Sequence, residues 1–203
     1  MRPPLRLILP ALTTLVVLAF ALAVSLGGSS GARSPSSAFE GSLEPAGVQA
    51  PDFTLTDQNG RRTALHDYRG RTVLLTFLYS TCKDTCPLIA QQIRGALDNL
   101  GYDVPTLALS VDPAADTAAN VRRFLRNASL TGRMRYLTGT RAHLAPLWHA
   151  YGVLPESAGN EASDHSAYVL LIDRHGVERV SFPVEELTPE GLAHDISKLR
   201  STS

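Results

Sequence analysis

The run Val73-Leu74-Leu75-Thr76-Phe77-Leu78-Tyr79 is rich in β-formers and nearly continuous in apolar character. Such a run predicts a strand buried on both faces, at the centre of a sheet. Directly after Ser80-Thr81-Cys82-Lys83-Asp84-Thr85-Cys86-Pro87, apolar residues recur at Leu88, Ile89, Ile93, Leu97 and Leu100, and Gly101 follows. That spacing is helical, and a glycine is a natural stop. Upstream, Phe53 and Leu55 alternate with polar neighbours, Asp57-Gln58-Asn59-Gly60 supplies a turn, and Arg61 to Leu65 returns, which predicts a small β-hairpin. Downstream, the same reasoning predicts a strand over 106–111, a helix over 116–127, a strand over 134–137, a helix over 141–151 and a loop over 152–164. A strand over 167–172, a turn at Asp173-Arg174-His175-Gly176, a returning strand over 177–182 and a helix over 188–200 complete the chain.

The predicted order is ββ, then βαβαβα, then ββα. Alternating strands and helices favour parallel pairing, and the late hairpin adds an antiparallel piece. The expected class is therefore α/β, a mixed sheet with helices on both faces. No internal repeat is visible.

The amino-terminal part follows another pattern. Arg2 and Arg6 precede Leu7 to Leu26, twenty residues without a charge, which is about the length that spans a bilayer as a helix. The run is longer than the usual signal core of about 7 to 15 residues, and its small-residue triplets lie inside it. We read residues 1–28 as an uncleaved single-pass anchor, with a cleaved signal segment as the alternative. Positive charge before the span places the amino terminus in the cytoplasm and the body outside. Residues 29–47, rich in Ser, Gly, Pro and Ala, read as a flexible linker, with the folded domain over 48–203.

Composition narrows the function. Apolar residues make up 44% and charged residues 19%, enough to build a core, and the formal net charge is zero. With the basic residues scattered, no electrostatic footprint for nucleic acid exists. An extracytoplasmic domain usually uses cysteines in structural disulfides, yet this chain has two, four positions apart. So small a ring restricts the unfolded chain little, so chemistry explains the pair better than stability does.

Pro87 suits the first turn of a helix, which puts Cys86 at or beside the helix cap and Cys82 in the preceding turn. A helix amino terminus favours thiolates, so both sulfurs are expected to be more acidic than a free cysteine. Two such sulfurs can bind a soft or borderline metal or cycle between dithiol and disulfide. The usual redox motif is Cys-x-x-Cys; the three intervening residues here leave both activities open. A peroxidase of the peroxiredoxin type wants Thr or Ser three residues and Pro seven residues before its reactive cysteine. Tyr79 and Leu75 stand there for Cys82, and Lys83 and Tyr79 for Cys86.

His165, in Ser163-Asp164-His165-Ser166, precedes the strongest late strand, which is expected to neighbour the central one. It can therefore be a third ligand beside the cysteine turn. His66, His175 and His194 read as solvated surface residues. His143 and His149, six apart on one helix, do not share a face.

Phe77-x-Tyr79-Ser80-Thr81-Cys82-x-x-x-Cys86-Pro87, Ser110-Val111-Asp112-Pro113-x-x-Asp116-Thr117, Asp164-His165-Ser166 and Leu171-Ile172-Asp173 together resemble the Sco/SenC family. The likeness covers about residues 48 to 200. It implies a thioredoxin-like domain tethered by one amino-terminal transmembrane helix, with Cys82, Cys86 and His165 as ligands for Cu(I) and Cu(II). It also implies delivery of copper to the binuclear copper A centre of cytochrome c oxidase. Asp164 is expected to orient a ligand. Lys83 stands where many relatives carry proline, and this removes no ligand. The implied partners are the oxidase subunit carrying copper A, a thiol reductant of the thioredoxin type and another copper donor. With no Arg- and Ser-rich transit segment before the apolar run, the expected location is a bacterial inner membrane, with the domain in the periplasm. A membrane-tethered thiol–disulfide oxidoreductase, or a redox sensor, using the same cysteines is the competing reading.

Overall fold

A computed structural model describes residues 38–154 and 167–202. Its elements are β1 (Ser42–Leu43), β2 (Thr54–Asp57), β3 (Arg62–Ala64), a 3-10 turn (Leu65–Tyr68), β4 (Val73–Leu78), α1 (Thr85–Leu100) and β5 (Thr106–Ser110). They continue with α2 (Ala118–Asn127), β6 (Arg135–Thr138), α3 (Arg141–Ala150), β7 (Tyr168–Ile172), β8 (Glu178–Pro183) and α4 (Pro189–Ser201). All six side chains of β4 are buried, as a strand covered on both faces requires.

The strands form one eight-stranded sheet in the order β1-β8-β7-β4-β5-β6-β2-β3. The pairs β4–β5 and β5–β6 are parallel, whereas β7 runs antiparallel to β4 with Thr76 opposite Val169. The expected hairpin is the antiparallel pair β2–β3, and it joins the sheet through β6. The sheet is therefore mixed, as its alternating pattern predicted.

One face of the sheet is covered by α1, α2 and α4, whose Ile89, Ile93, Val121, Phe124, Leu192 and Ile196 meet Leu74 and Leu78 of β4. The other face meets Leu144 and Trp148 of α3, with Phe53 and Leu65 from the hairpin region. In α1 the buried residues Ile89, Ala90, Ile93, Ala96 and Leu97 make a stripe at helical spacing. Burying each of the larger ones contributes about 1.5–3 kcal/mol. Gly101 ends the helix with φ +65°, a left-handed conformation that costs glycine nothing.

The fold starts earlier than the Val48 boundary expected from composition. The β1 pair Ser42–Leu43 lies antiparallel against Ser181 and Val180 at the sheet edge. Just before it, the amides of Glu40 and Gly41 donate to the fully buried Asp195 carboxylate of α4 at 3.0 Å. A Cβ on Gly41 would meet Val180 at 2.6 Å and Phe182 at 2.8 Å, so the chain passes here only as glycine. These contacts come from far along the sequence, which local composition does not reveal. The run Leu7–Leu26 lies outside the described residues. Among the described residues, no helix is long and apolar enough to cross a membrane.

The Asp195 contacts make a test. Asp195→Ala removes the acceptor for both amides and is expected to lower the unfolding free energy by about 2 kcal/mol. Denaturant unfolding measures the loss, and hydrogen exchange should show Glu40 and Gly41 losing protection while the amides of β4 keep theirs.

Candidate metal centre

The strand β4 leads straight into the cysteine turn, so the turn is anchored at the buried centre of the sheet. The Cys82 amide donates to the Tyr79 carbonyl at 3.2 Å, which folds the chain back on itself. The helix α1 then begins at Thr85, with Asp84 as its cap residue. Asp84 makes no side-chain capping bond. Its place is taken by sulfur, since the Cys86 amide donates to Cys82 Sγ at 3.2 Å. Pro87, third in the helix, has no amide to leave unpaired.

Below the turn lies a buried polar cluster. Asp116 Oδ1 accepts the Ser80 amide at 2.6 Å, and Oδ2 accepts the Ser110 hydroxyl at 2.6 Å. The Tyr136 hydroxyl lies 2.8 Å from both Asp116 Oδ2 and the Leu78 carbonyl. Trp148 Nε1 donates to the Ser110 carbonyl at 2.9 Å. The ends of β4 and β5, together with β6 and α3, are thus joined through one carboxylate and its neighbours. Burial pushes the Asp116 carboxyl up from its usual range, and the same effect raises the Tyr136 phenol.

The two cysteines are free thiols with different surroundings: Cys82 is half-buried and Cys86 is buried. A hydrogen bond from the Cys86 thiol, helped by the amides of Cys86 and Asp84 and by the Tyr79 side chain, pulls Cys82 down to about 6. The Cys86 thiol is pushed up because it donates to Cys82 and sits in an apolar surround. The expectation that both sulfurs are acidic is corrected here. The helix terminus and its donors support one thiolate, and the second sulfur holds its proton as the donor to the first.

The third expected ligand, His165, lies outside the described residues, as does Asp164. Of the other histidines, His66 Nδ1 sits 2.7 Å from Asp52, and His194 Nδ1 sits 2.8 Å from Asp195. His143 and His149 are exposed on α3, and His175 is exposed in the β7–β8 turn. Among the described residues, no cluster of three or more His, Cys, Asp or Glu side chains could hold a metal ion.

Comparison with known proteins gives this turn its context. Residues 42–201 match the SCO1/SenC family, a span that contains both cysteines and Asp116. The chain belongs to that family. Among curated members, it is 32% identical to the mitochondrial SCO2 homolog of Bos taurus over 165 residues, 78% of this chain and 58% of that protein. It is 30% identical to SenC of Rhodobacter capsulatus over 151 residues, 71% of this chain and 67% of that protein. The chain thus spans about half the length of the mammalian relatives it matches. The solved structure of Bradyrhizobium japonicum ScoI with copper bound is 30% identical, with a TM-score of 0.59, covering 75% of this chain and 99% of that one. A Sco protein described as carrying a disulfide switch, BsSco, is 20% identical with a TM-score of 0.68, covering 79% of this chain and 98% of that one. The mixed sheet with its flanking helices is the thioredoxin-like fold of these Sco proteins.

Sequence reasoning found the cysteine turn and missed how the turn is held. Asp116 and Ser110 were visible as parts of a family block, and a polar block closing a buried strand was the available signal. Nothing local showed that Tyr136, twenty residues on, meets the same carboxylate.

The split between the sulfurs predicts an alkylation profile. In the reduced chain, iodoacetamide should modify Cys82 with a rate that rises through pH of about 6 and levels above it, whereas Cys86 stays slow. Cys86→Ala removes the strongest donor to the Cys82 thiolate. Its midpoint should move up toward that of a free cysteine, about 8.5. Mass spectrometry of the alkylated peptides measures both.

Proposed function

We propose that this chain is a membrane-tethered copper carrier that delivers copper for assembly of the copper A centre of cytochrome c oxidase, with Cys82, Cys86 and His165 as the ligands. The carrying observation is the pair of sulfurs on one turn, one an accessible thiolate and the other a buried thiol within hydrogen-bonding reach of it, in a chain of the SCO1/SenC family. The copper-bound ScoI structure, at 30% identity, supports copper as the cargo. Support for His165 comes from chain order. It stands three residues before β7, and β7 pairs with β4 at the end that leads into the cysteine turn.

Two thiolates suit Cu(I), and an added imidazole suits Cu(II). The half-buried Cys82 is the first point of contact for an incoming ion. Cys86 then gives up its proton to become the second sulfur ligand. Three ligands leave the ion open to attack, so the cysteines of an oxidase subunit can take it by stepwise exchange. In an oxidising compartment a thiol reductant of the thioredoxin type keeps both sulfurs reduced, and a separate donor supplies the copper. Residues 1–28 act as the membrane anchor, with the domain on the periplasmic side of a bacterial inner membrane, and the residues up to the start of the fold give it reach toward a membrane-embedded client.

A second reading, a thiol–disulfide oxidoreductase, is favoured by one observation. An accessible thiolate with a value of about 6 beside a buried thiol is also the arrangement of an attacking and a resolving cysteine. The two readings diverge at His165, because thiol exchange survives His165→Ala whereas three-ligand copper binding does not.

Copper titration of the reduced full chain in uncharged detergent separates them. Cys82→Ser and Cys86→Ser are each expected to weaken Cu(I) binding by about a hundredfold or more. His165→Ala should weaken Cu(II) binding and shift the thiolate-to-Cu(II) absorption band. An unchanged band together with wild-type affinity for both ions would falsify the three-ligand assignment. Loading with Cu(I) at pH 7 should also release about one proton per ion, from Cys86, since Cys82 is already mostly ionised. At pH 5 the release should approach two, because both thiols then start protonated.

A further inference from the structure

At the end of β4 opposite the cysteine turn lies a second set of charged groups. A cavity of about 350 Å³ opens there, and Arg71, Arg174 and Arg200 line it with Tyr102 and Asp103. The three arginines come from three separate elements: the turn before β4, the β7–β8 turn and the last turn of α4. The Gly70 amide donates to the Arg174 carbonyl at 2.8 Å, which ties the first two turns together.

Two of the three side chains are held in place. The Arg200 guanidinium stacks 4.2 Å from the centre of the Tyr102 ring, and the Tyr102 hydroxyl lies 3.3 Å from Ser197 Oγ on the same helix as Arg200. Arg174 spends its Nε on His175 at 3.1 Å, leaving its two terminal nitrogens for a ligand. Neighbouring arginines have carboxylate partners: Arg133 sits 2.6 Å from Asp98, and Arg135 sits 3.9 Å from Asp57. No such pair forms with Arg71, Arg174 or Arg200 among the described residues. In a chain of zero net charge, three arginines without an ion pair therefore line one cavity together with one carboxylate residue, Asp103.

We propose that this cavity is a binding site for a phosphate group, whose oxygens take hydrogen bonds from Arg71, Arg174 and Arg200. Planar guanidinium forks match the spacing of phosphate oxygens, and the oxygens of a tetrahedral phosphate group can be engaged from different directions. A single carboxylate ligand would leave one or more guanidiniums unused. The phosphate can belong to a free phosphomonoester or to a phospholipid headgroup. The site is separated from the sulfurs by the length of β4, so it does not depend on the copper reading.

The test uses the full chain in uncharged detergent and phosphate-free buffer. Calorimetric titration is run with inorganic phosphate and, separately, with glycerophosphoglycerol, a soluble headgroup diester. Saturable binding is expected, and Arg174→Gln or Arg71→Gln should each weaken it by about tenfold. Tighter binding of the diester assigns the site to a lipid headgroup, and tighter binding of inorganic phosphate assigns it to a free phosphate ligand. Arg141→Gln, on α3 beside Trp148, should change nothing. Unaltered thermal melting and copper binding in the arginine variants show that the fold and the sulfur site are intact. The proposal is overturned if neither probe saturates, if the triple variant R71Q/R174Q/R200Q binds like wild type, or if Arg141→Gln weakens binding as much as the cavity variants do.

Discussion

The Asp116 carboxylate accepts the Ser80 amide and the Ser110 hydroxyl, and the Tyr136 hydroxyl lies against it, all within 2.8 Å. Ser80 is the second residue after β4 and lies two positions before Cys82, so this one group fixes where the strand stops and the cysteine turn begins. Burying a carboxylate is costly unless its oxygens are satisfied, and here three donors converge on it. Removing Asp116 would strand those donors inside the core and release the turn. The position of both sulfurs rests on this polar contact at the end of the sheet.

From that anchor the chemistry follows by proximity. The turn brings the Cys86 amide and thiol onto Cys82 Sγ, so the sulfur doubles as a helix cap and as the acceptor of its partner's proton. One negative charge is then shared by two sulfurs, one half-buried and one buried. A cation that displaces the shared proton gains both sulfurs at once, whereas an oxidant or a disulfide meets the accessible thiolate first. The same local physics therefore supports carrying and redox exchange, and the choice between them passes to groups beyond the turn.

Much of this was legible in the sequence because it was written in local pattern. The apolar run of β4, the helical stripe and the hairpin before β4 each carry their own period, and the structure places them as read except at the ends of the stripe, where Leu88 is exposed and Leu100 only partly buried. The cysteine pair stood out because a ring so small has no structural use. What stayed hidden depends on contacts between distant segments. Asp195 orders Glu40 and Gly41 from 155 and 154 residues away, turning part of an apparent linker into a sheet edge. Tyr136 meets Asp116 from another strand. The unequal acidity of Cys82 and Cys86 follows from a proton shared across the turn, which the helix-terminus argument alone does not contain. In the same way, Arg71, Arg174 and Arg200 are scattered in sequence and gather only at the far end of the sheet.

The claim that both sulfurs of this turn take one copper ion is tested most directly by X-ray absorption at the copper edge, on the full chain loaded with one equivalent of Cu(I) or Cu(II). The account predicts two sulfur neighbours in both states, and an imidazole contribution in the Cu(II) state that disappears in His165→Ala. A spectrum with one sulfur neighbour, or one that Cys86→Ser leaves unchanged, would contradict it.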